Sequence, residues 1–261
     1  MADQDAPLSA VLNNPDDDAP RVAYADWCAR QDDAPNQARA EFIRLQIEMA
    51  HMDRAAVNRG EAYHQRHRES ELTREYGARW AGLVAGMVTS YEFDRGFVEL
   101  LALRARNWLD RAALLHGMAP IRHLNLTRAR DAAQELLSSP SLGLIRSLSL
   151  DSCGLTDDHI AMLAGSPAVT ELRWLSIADN QVSMRGAEAM AASPYLKKLA
   201  FAQFIGNYVD PCEQGGDDSG IIVATWFPPE GEQLESRYGF LPWLHRDGAT
   251  RDDFYPDRFR L

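Results

Sequence analysis

Three segments, Ser139–Leu155 (SPSLGLIRSLSLDSCGL), Ser166–Val182 (SPAVTELRWLSIADNQV) and Ser193–Val209 (SPYLKKLAFAQFIGNYV), repeat one pattern every 27 residues. Aligned on Pro140, Pro167 and Pro194, the equivalent positions read Ile145, Leu148, Leu150, Cys153, Leu155, then Leu172, Leu175, Ile177, Asn180, Val182, then Leu199, Ala202, Phe204, Asn207, Val209. The two-residue step between the second and third positions is that of a strand with one face buried. A short strand followed by a helix cannot bury its apolar face alone, so neighbouring copies must share a core.

Working outward, Val98, Leu101 and Leu103 fit the same spacing, as do Ile121, Leu124 and Leu126. First positions are then Val98, Ile121, Ile145, Leu172 and Leu199, separated by 23, 24, 27 and 27 residues. Helical spacing runs from about Asn107 to His116, Asp131 to Ser138, Asp157 to Ala164 and Met184 to Ala192. The pattern LxxLxLxx(N/C)xL is that of leucine-rich repeats. The expected fold class is therefore α/β, a leucine-rich-repeat right-handed strand-helix solenoid of about five units over residues 91–209. Residues 1–52 read as an α-helical N-terminal domain, 53–90 as a connecting helix and linker, and 210–261 as an irregular C-terminal cap. Within that cap, Ile221–Phe227 reads as a strand and Leu234–Tyr238 as a short helix stopped by Gly239. Trp226, Phe227, Phe240, Trp243 and Phe254 need packing partners.

The N-terminal helices begin at Asp18, an N-cap candidate one residue before Ala19-Pro20, followed by Val22, Ala23, Trp27 and Cys28. A second helix is expected from about Ala38 to Met52. Asn14-Pro15-Asp16-Asp17-Asp18, Arg21, Tyr24-Ala25-Asp26-Trp27 and Arg39-Ala40-Glu41-Phe42-Ile43-Arg44-Leu45-Gln46 resemble the short repeat-companion domain that precedes leucine-rich repeats in a large set of bacterial proteins. The resemblance covers roughly residues 8–50. Trp80 and Arg95-Gly96-Phe97-Val98-Glu99 also resemble the segment downstream of that domain in the same family. The resemblance implies an architecture and no established biochemical activity.

The chain of 261 residues carries a formal charge of −11, placed at its ends: eight acids against two bases in residues 1–35, and eleven against five in 209–261. A near-neutral centre offers no basic footprint for phosphate, so neither nucleic acid nor an anionic membrane is an expected partner. No stretch approaches the roughly 20 apolar residues of a membrane span. Three scattered cysteines, Cys28, Cys153 and Cys212, make no disulfide framework, and the N-terminus lacks the basic start and apolar run of a signal peptide. A reducing cytoplasm is the expected compartment.

Candidate chemistry is sparse. His64, His67 and Glu69 share a charged helix and read as a solvated face in place of a metal site. Asp16, Asp17, Asp18 and Asp26 read as capping and structural acids, and Asp210, Glu213, Asp217 and Asp218 as a solvated loop. No GxSxG elbow, P-loop or dinucleotide fingerprint is present, so no enzyme, cofactor or metal is expected. What stands out is the strand face. Alternation sends His123, Ser147, Trp174 and Phe201 away from the leucines, and Ile205 ends a neighbouring row. Arg122, Arg146 and Arg173 form a column beside them. The expected function is non-enzymatic binding of a partner protein through this concave face, with Trp174, Phe201 and Ile205 at its centre and Arg173, Arg146, Arg122 and His123 around it. Two alternatives stay open: a hydrolase or transferase with a site between the N-terminal helices and the repeats, and a structural adaptor recruited through the companion domain.

Overall fold

The computed structural model describes residues 2–52, 62–214 and 226–245. These form nine α-helices and one six-stranded sheet. The strands are β1 (Ser90–Asp94), β2 (Phe97–Arg104), β3 (His123–Thr127), β4 (Ser147–Ser149), β5 (Trp174–Ser176) and β6 (Phe201–Gln203), adjacent in chain order. The helices are α1 (Ala2–Asn13), α2 (Asp18–Ala29), α3 (Ala34–Ala50), α4 (Tyr63–Ala81), α5 (Ala105–His116), α6 (Ala133–Leu137), α7 (Asp157–Ala164), α8 (Met184–Ala191) and α9 (Pro229–Tyr238).

This corrects the expected fold class. The chain shows a mixed α/β fold on a single sheet with one antiparallel pair and the rest parallel, and a leucine-rich-repeat solenoid is not shown. Strands are few, and β4, β5 and β6 have three residues each. The physical reason is that periodic leucines dictate which side chains turn inward and which strand positions pair. Any parallel sheet with helical crossovers shares that alternation. The first expected unit, at Val98, instead sits in a strand reached through a two-residue turn from β1. The expected strand Ile221–Phe227 and the start of the connecting helix at Asp53 fall largely outside the described residues.

Contacts divide the chain into two compact units. One comprises residues 1–101 and 113–121, the other residues 102–112 and 122–261. In the first, α2 is capped by Asp17, whose carboxylate accepts from the Ala19 N–H at 2.9 Å, one residue earlier than the expected Asp18. Asp33 caps α3 through the Asn36 N–H at 3.0 Å, with Pro35 in the first turn. Val11, Tyr24, Ala25, Cys28, Ala40, Ile43 and Phe97 form one core cluster, flanked by Leu8, Trp27 and Ile47. The N-terminal helices thus bury their apolar faces with β2 and do not stand as an isolated pair.

The turn between β1 and β2 is Arg95-Gly96, with φ of 43° and 88°. Two positive values in a two-residue hairpin loop match the right-handed twist of the flanking strands. Glycine is required at 96 for a second reason: a Cβ there would stand 2.4 Å from Ile43 Cγ1 and 2.9 Å from its Cα. The Gly96 N–H donates to Gln46 Oε1 at 2.7 Å, and Gln46 Nε2 donates to Glu69 at 2.5 Å.

In the second unit, the serine-proline period has a local cause. Ser139 Oγ accepts from the Ser141 N–H at 3.2 Å, Ser166 Oγ from Ala168 at 3.4 Å and Ser193 Oγ from Tyr195 at 3.1 Å. Serine caps a single tight turn, and proline occupies its first position, where no N–H is needed. The asparagines are satisfied across the same period. Asn180 accepts from the Cys153 and Leu155 N–H groups at 3.1 and 2.8 Å. Its amide nitrogen donates to the carbonyls of Leu150, Ile177 and Ala178. Asn207 repeats the arrangement with Val182, Ile177 and Phe204. Cys153, at the equivalent position, points its thiol at the Leu126 carbonyl, 3.4 Å away.

Candidate binding surface

The strand pairing places the expected residues in rows. His123 pairs with Ser147, Ser147 with Trp174, and Trp174 with Phe201, all in parallel register. Each row begins at a forked carbonyl. Arg122 C=O accepts from the Arg146 and Ser147 N–H groups, Arg146 C=O from Arg173 and Trp174, and Arg173 C=O from Ala200 and Phe201, at 2.8–3.2 Å. The arginine column is therefore set by the backbone ladder. Its side chains are not a solvated stripe throughout: Arg122 is buried and donates to the Leu144 carbonyl at 2.6 Å, while Arg146 and Arg173 are half-buried.

The aromatic centre differs from expectation as well. Trp174 and Phe201 stack in parallel, 5.9 Å between ring centroids and 5° between planes, but they are only 2% and 7% exposed. His123, Ser147, Ser149 and Ser176 on the same face are buried too. Of the seven expected site residues, Ile205 is the one with an openly exposed side chain, at 48%. Alternation along a strand identifies the face and carries no information on whether that face is open.

Exposure concentrates at the turn after β6. Tyr208 is 76% exposed and shares this turn with Ile205. The turn is rigidly held. Ile205 C=O accepts from the Asp179 N–H at 2.8 Å, Tyr208 N–H donates to Val182 C=O at 3.0 Å, and Asn207 spans Val182, Ile177 and Phe204. Gly206, at φ 77°, approaches Asp179 so closely that a Cβ would lie 2.1 Å from its Oδ1. No periodic signal marks Tyr208, which lies between the asparagine and valine of the repeat.

Beyond the turn, the chain returns over β6. Cys212 Sγ lies 3.4 Å from Ala202 O, the Glu213 N–H donates to Leu244 O at 2.7 Å, and Trp243 stacks on Phe204 at 5.9 Å. The outer strand is thereby shielded from pairing with other chains. Helix α9 ends at Gly239, φ 82°, as the expected helix stop does. Past it, His245 lies between two rings, 4.7 Å from Phe227 and 5.1 Å from Phe240.

The first unit holds the most unusual electrostatics. Glu99, 1% exposed, pairs with the fully buried Arg21 at 2.5 Å and with Arg95 at 3.2 Å. Arg21 also donates to the carbonyls of Pro15, Asp94 and Arg95, and Arg95 to Pro15, Asp16 and Asp18. Burial and then the Asp94 charge push the Glu99 carboxyl up to about 7, against the pull of Arg21 and Arg95. Arg39 has no ion pair or hydrogen bond among the described residues and packs against rings, 4.9 Å from Trp80, 5.2 Å from Phe97, 5.5 Å from Phe93 and 5.9 Å from Phe42. Desolvation lowers its pKa to about 10. Both clusters clamp the hairpin to the helices and present no reactive group to solvent.

Elsewhere the acids behave as structural partners. Asp26 is exposed and pairs with Arg44 at 2.5 Å. Asp18 pairs with Arg95 and His51. His64 and His67 are exposed while Glu69 turns inward to Gln46, and no group of three or more His, Cys, Asp or Glu is placed to hold a metal ion among the described residues. Asp217 and Asp218 lie outside them. The cysteines are buried and unpaired with one another; burial raises the Cys28 thiol to about 11 and that of Cys153 above its ordinary value, which opposes the thiolate a nucleophile needs. An open groove of about 720 Å³ in the second unit is lined by Arg106, Arg130, Glu135 and His159 among others. There Arg106 pairs with Glu135, and the His159 Nδ1 accepts from the Thr156 N–H at 3.0 Å.

No family model, no curated protein and no solved structure matches the chain. No described helix is long and apolar enough to cross a membrane.

Proposed function

We propose that the chain is a non-enzymatic protein-binding module, and that its contact centre is the turn bearing Ile205 and Tyr208. The observation carrying this reading is two large apolar side chains, both exposed, on one turn immobilised by the Asn207 and Gly206 contacts. Rigid presentation lowers the ordering cost of association, and exposed aromatics are what interface energetics favour. The cytoplasm is the compartment this reading assumes, consistent with three buried cysteines that form no disulfide with one another.

The test is affinity capture from native extract followed by binding of the purified partner to wild type and to an Ile205→Ser, Tyr208→Ser double variant. A loss of about tenfold or more in affinity is expected. The melting temperature should stay nearly unchanged, because both side chains face solvent. Unchanged partner binding by the double variant would sink the proposal.

A further inference from the structure

Both faces of the parallel strands β3–β6 are closed. Leu124, Leu148, Leu175 and Ala202 lie on one face, His123, Ser147, Trp174 and Phe201 alternate onto the other, and all eight are buried. Helices account for one face only. The four strands follow chain order, and right-handed crossovers running one way across a sheet place their helices on the same side, where α6 packs on α7 and α7 on α8. The leucines make that side the helical one. A parallel sheet needs its second face covered as well. Here that face carries the Trp174–Phe201 stack, with Arg146 and Arg173 half-buried at its margin.

The described residues bring the chain to the β6 edge of the sheet. Pro242–Leu244 lie against β6, with Trp243 stacked on Phe204 and the Leu244 C=O accepting from the Glu213 N–H at 2.7 Å. Sixteen residues follow His245, RDGATRDDFYPDRFRL. Extended, they reach about 50 Å, against about 15 Å for the three strand spacings from β6 to β3. Their composition matches the face. Phe254 and Tyr255 stand next to Asp252 and Asp253, an aromatic pair beside an acidic pair, and the sheet offers an aromatic pair beside two arginines. The segment is neutral overall, four aspartates against four arginines, so the complementarity is local and sets register. We propose that residues 246–261 lie across this face, with Phe254 and Tyr255 on the Trp174–Phe201 stack and Asp252 and Asp253 towards Arg146 and Arg173. The stack is then closed to other proteins until the segment is displaced. This contact is separate from the exposed Ile205–Tyr208 turn, and either can fail without the other.

The test is hydroxyl-radical labelling of the full chain, read residue by residue by mass spectrometry. Trp226, 58% exposed, and the fully buried Trp108 serve as internal references. In wild type, Trp174 should react as slowly as Trp108. Phe254→Ala with Tyr255→Ala should speed Trp174 labelling about fivefold while leaving Trp108 unchanged. Arg146→Gln with Arg173→Gln should speed it about twofold, because partly exposed ion pairs contribute less than the rings. A second measurement places the segment directly: a benzophenone amino acid at position 254 of the full chain should crosslink, on irradiation, to residues of β4, β5 or β6. If Trp108 reacts in the double alanine variant, its fold is lost and the crosslinks decide. Trp174 protection unchanged in a variant that keeps Trp108 buried, or crosslinks found only outside β4, β5 and β6, would overturn the proposal.

Discussion

The two units solve the same problem, satisfying buried polar groups, with opposite chemistry. In the first, charged side chains bridge segments far apart in sequence: Arg21 reaches Arg95 O across 74 residues, and Arg95 reaches Pro15 O across 80. In the second, neutral amides bridge neighbours, with Asn180 reaching Cys153 and Leu155 across 27 and 25 residues. A neutral amide carries a small desolvation penalty and gains several hydrogen bonds. A buried ion pair carries a large penalty, so its geometry has to be complete to break even. The first unit should accordingly fail abruptly when one partner is lost, and the second in graded steps.

The largest effect is expected at Glu99. Glu99→Ala strands two guanidiniums, one of them fully buried, and should destabilise by about 3–5 kcal/mol in urea unfolding. A loss under about 1 kcal/mol would show that the pair is energetically idle. Next comes Asn180→Ala. A buried polar group left unsatisfied costs about 1–3 kcal/mol, so losing this amide should cost about 2–4 kcal/mol in all, and Asn207→Ala, with fewer partners, should cost less. Equal losses would remove the graded character assigned to the second unit.

Proton binding separates the units more finely. The Glu99 carboxyl lies at about 7 when folded against an ordinary 4.5, so the folded state holds a proton that the unfolded chain has released. Its contribution to stability is complete below 4.5 and is lost as pH rises through about 7. Amide hydrogen exchange in the first unit should quicken over that window in wild type and flatten in Glu99→Gln, while the amides around Asn180 stay unaffected. The smallest effect is expected at Arg39. This cation has rings around it and no carboxylate, so Arg39→Met, which preserves much of the packing and removes the desolvation penalty, should change stability by less than about 1 kcal/mol in either direction. A large loss would mean that the ring contacts hold the unit together.

The same contrast separates what is legible in the sequence from what is not. The period of 27 marks the inward leucines, the strand register, the serine caps and helix α7 from Asp157 to Ala164, because each depends on residues within one repeat of one another. It does not determine the fold class, since the same alternation serves a single mixed sheet. The first unit's clamp leaves no periodic trace: Arg21, Arg39 and Glu99 are residue types usually found in water, and their partners are set by the tertiary fold. Alternation places Trp174 correctly in its row and misjudges its exposure, because burial from above is not encoded along a strand. Tyr208, the exposed ring of the proposed contact turn, falls between the repeat positions and carries no signal of its own.

The Arg95-Gly96 turn also orders events during synthesis. A chain emerging amino-end first displays α1, α2 and α3 long before the turn that Arg21 and Gln46 grip has been made. Until residue 99 has cleared the ribosome, Arg21 has no carboxylate and Phe42 and Ile43 have no hairpin to cover them. Non-local closure of this kind is slow and leaves apolar surface open to aggregation. A pause after α3 has emerged and before residue 99 has emerged would therefore leave the apolar faces of these helices uncovered for its duration.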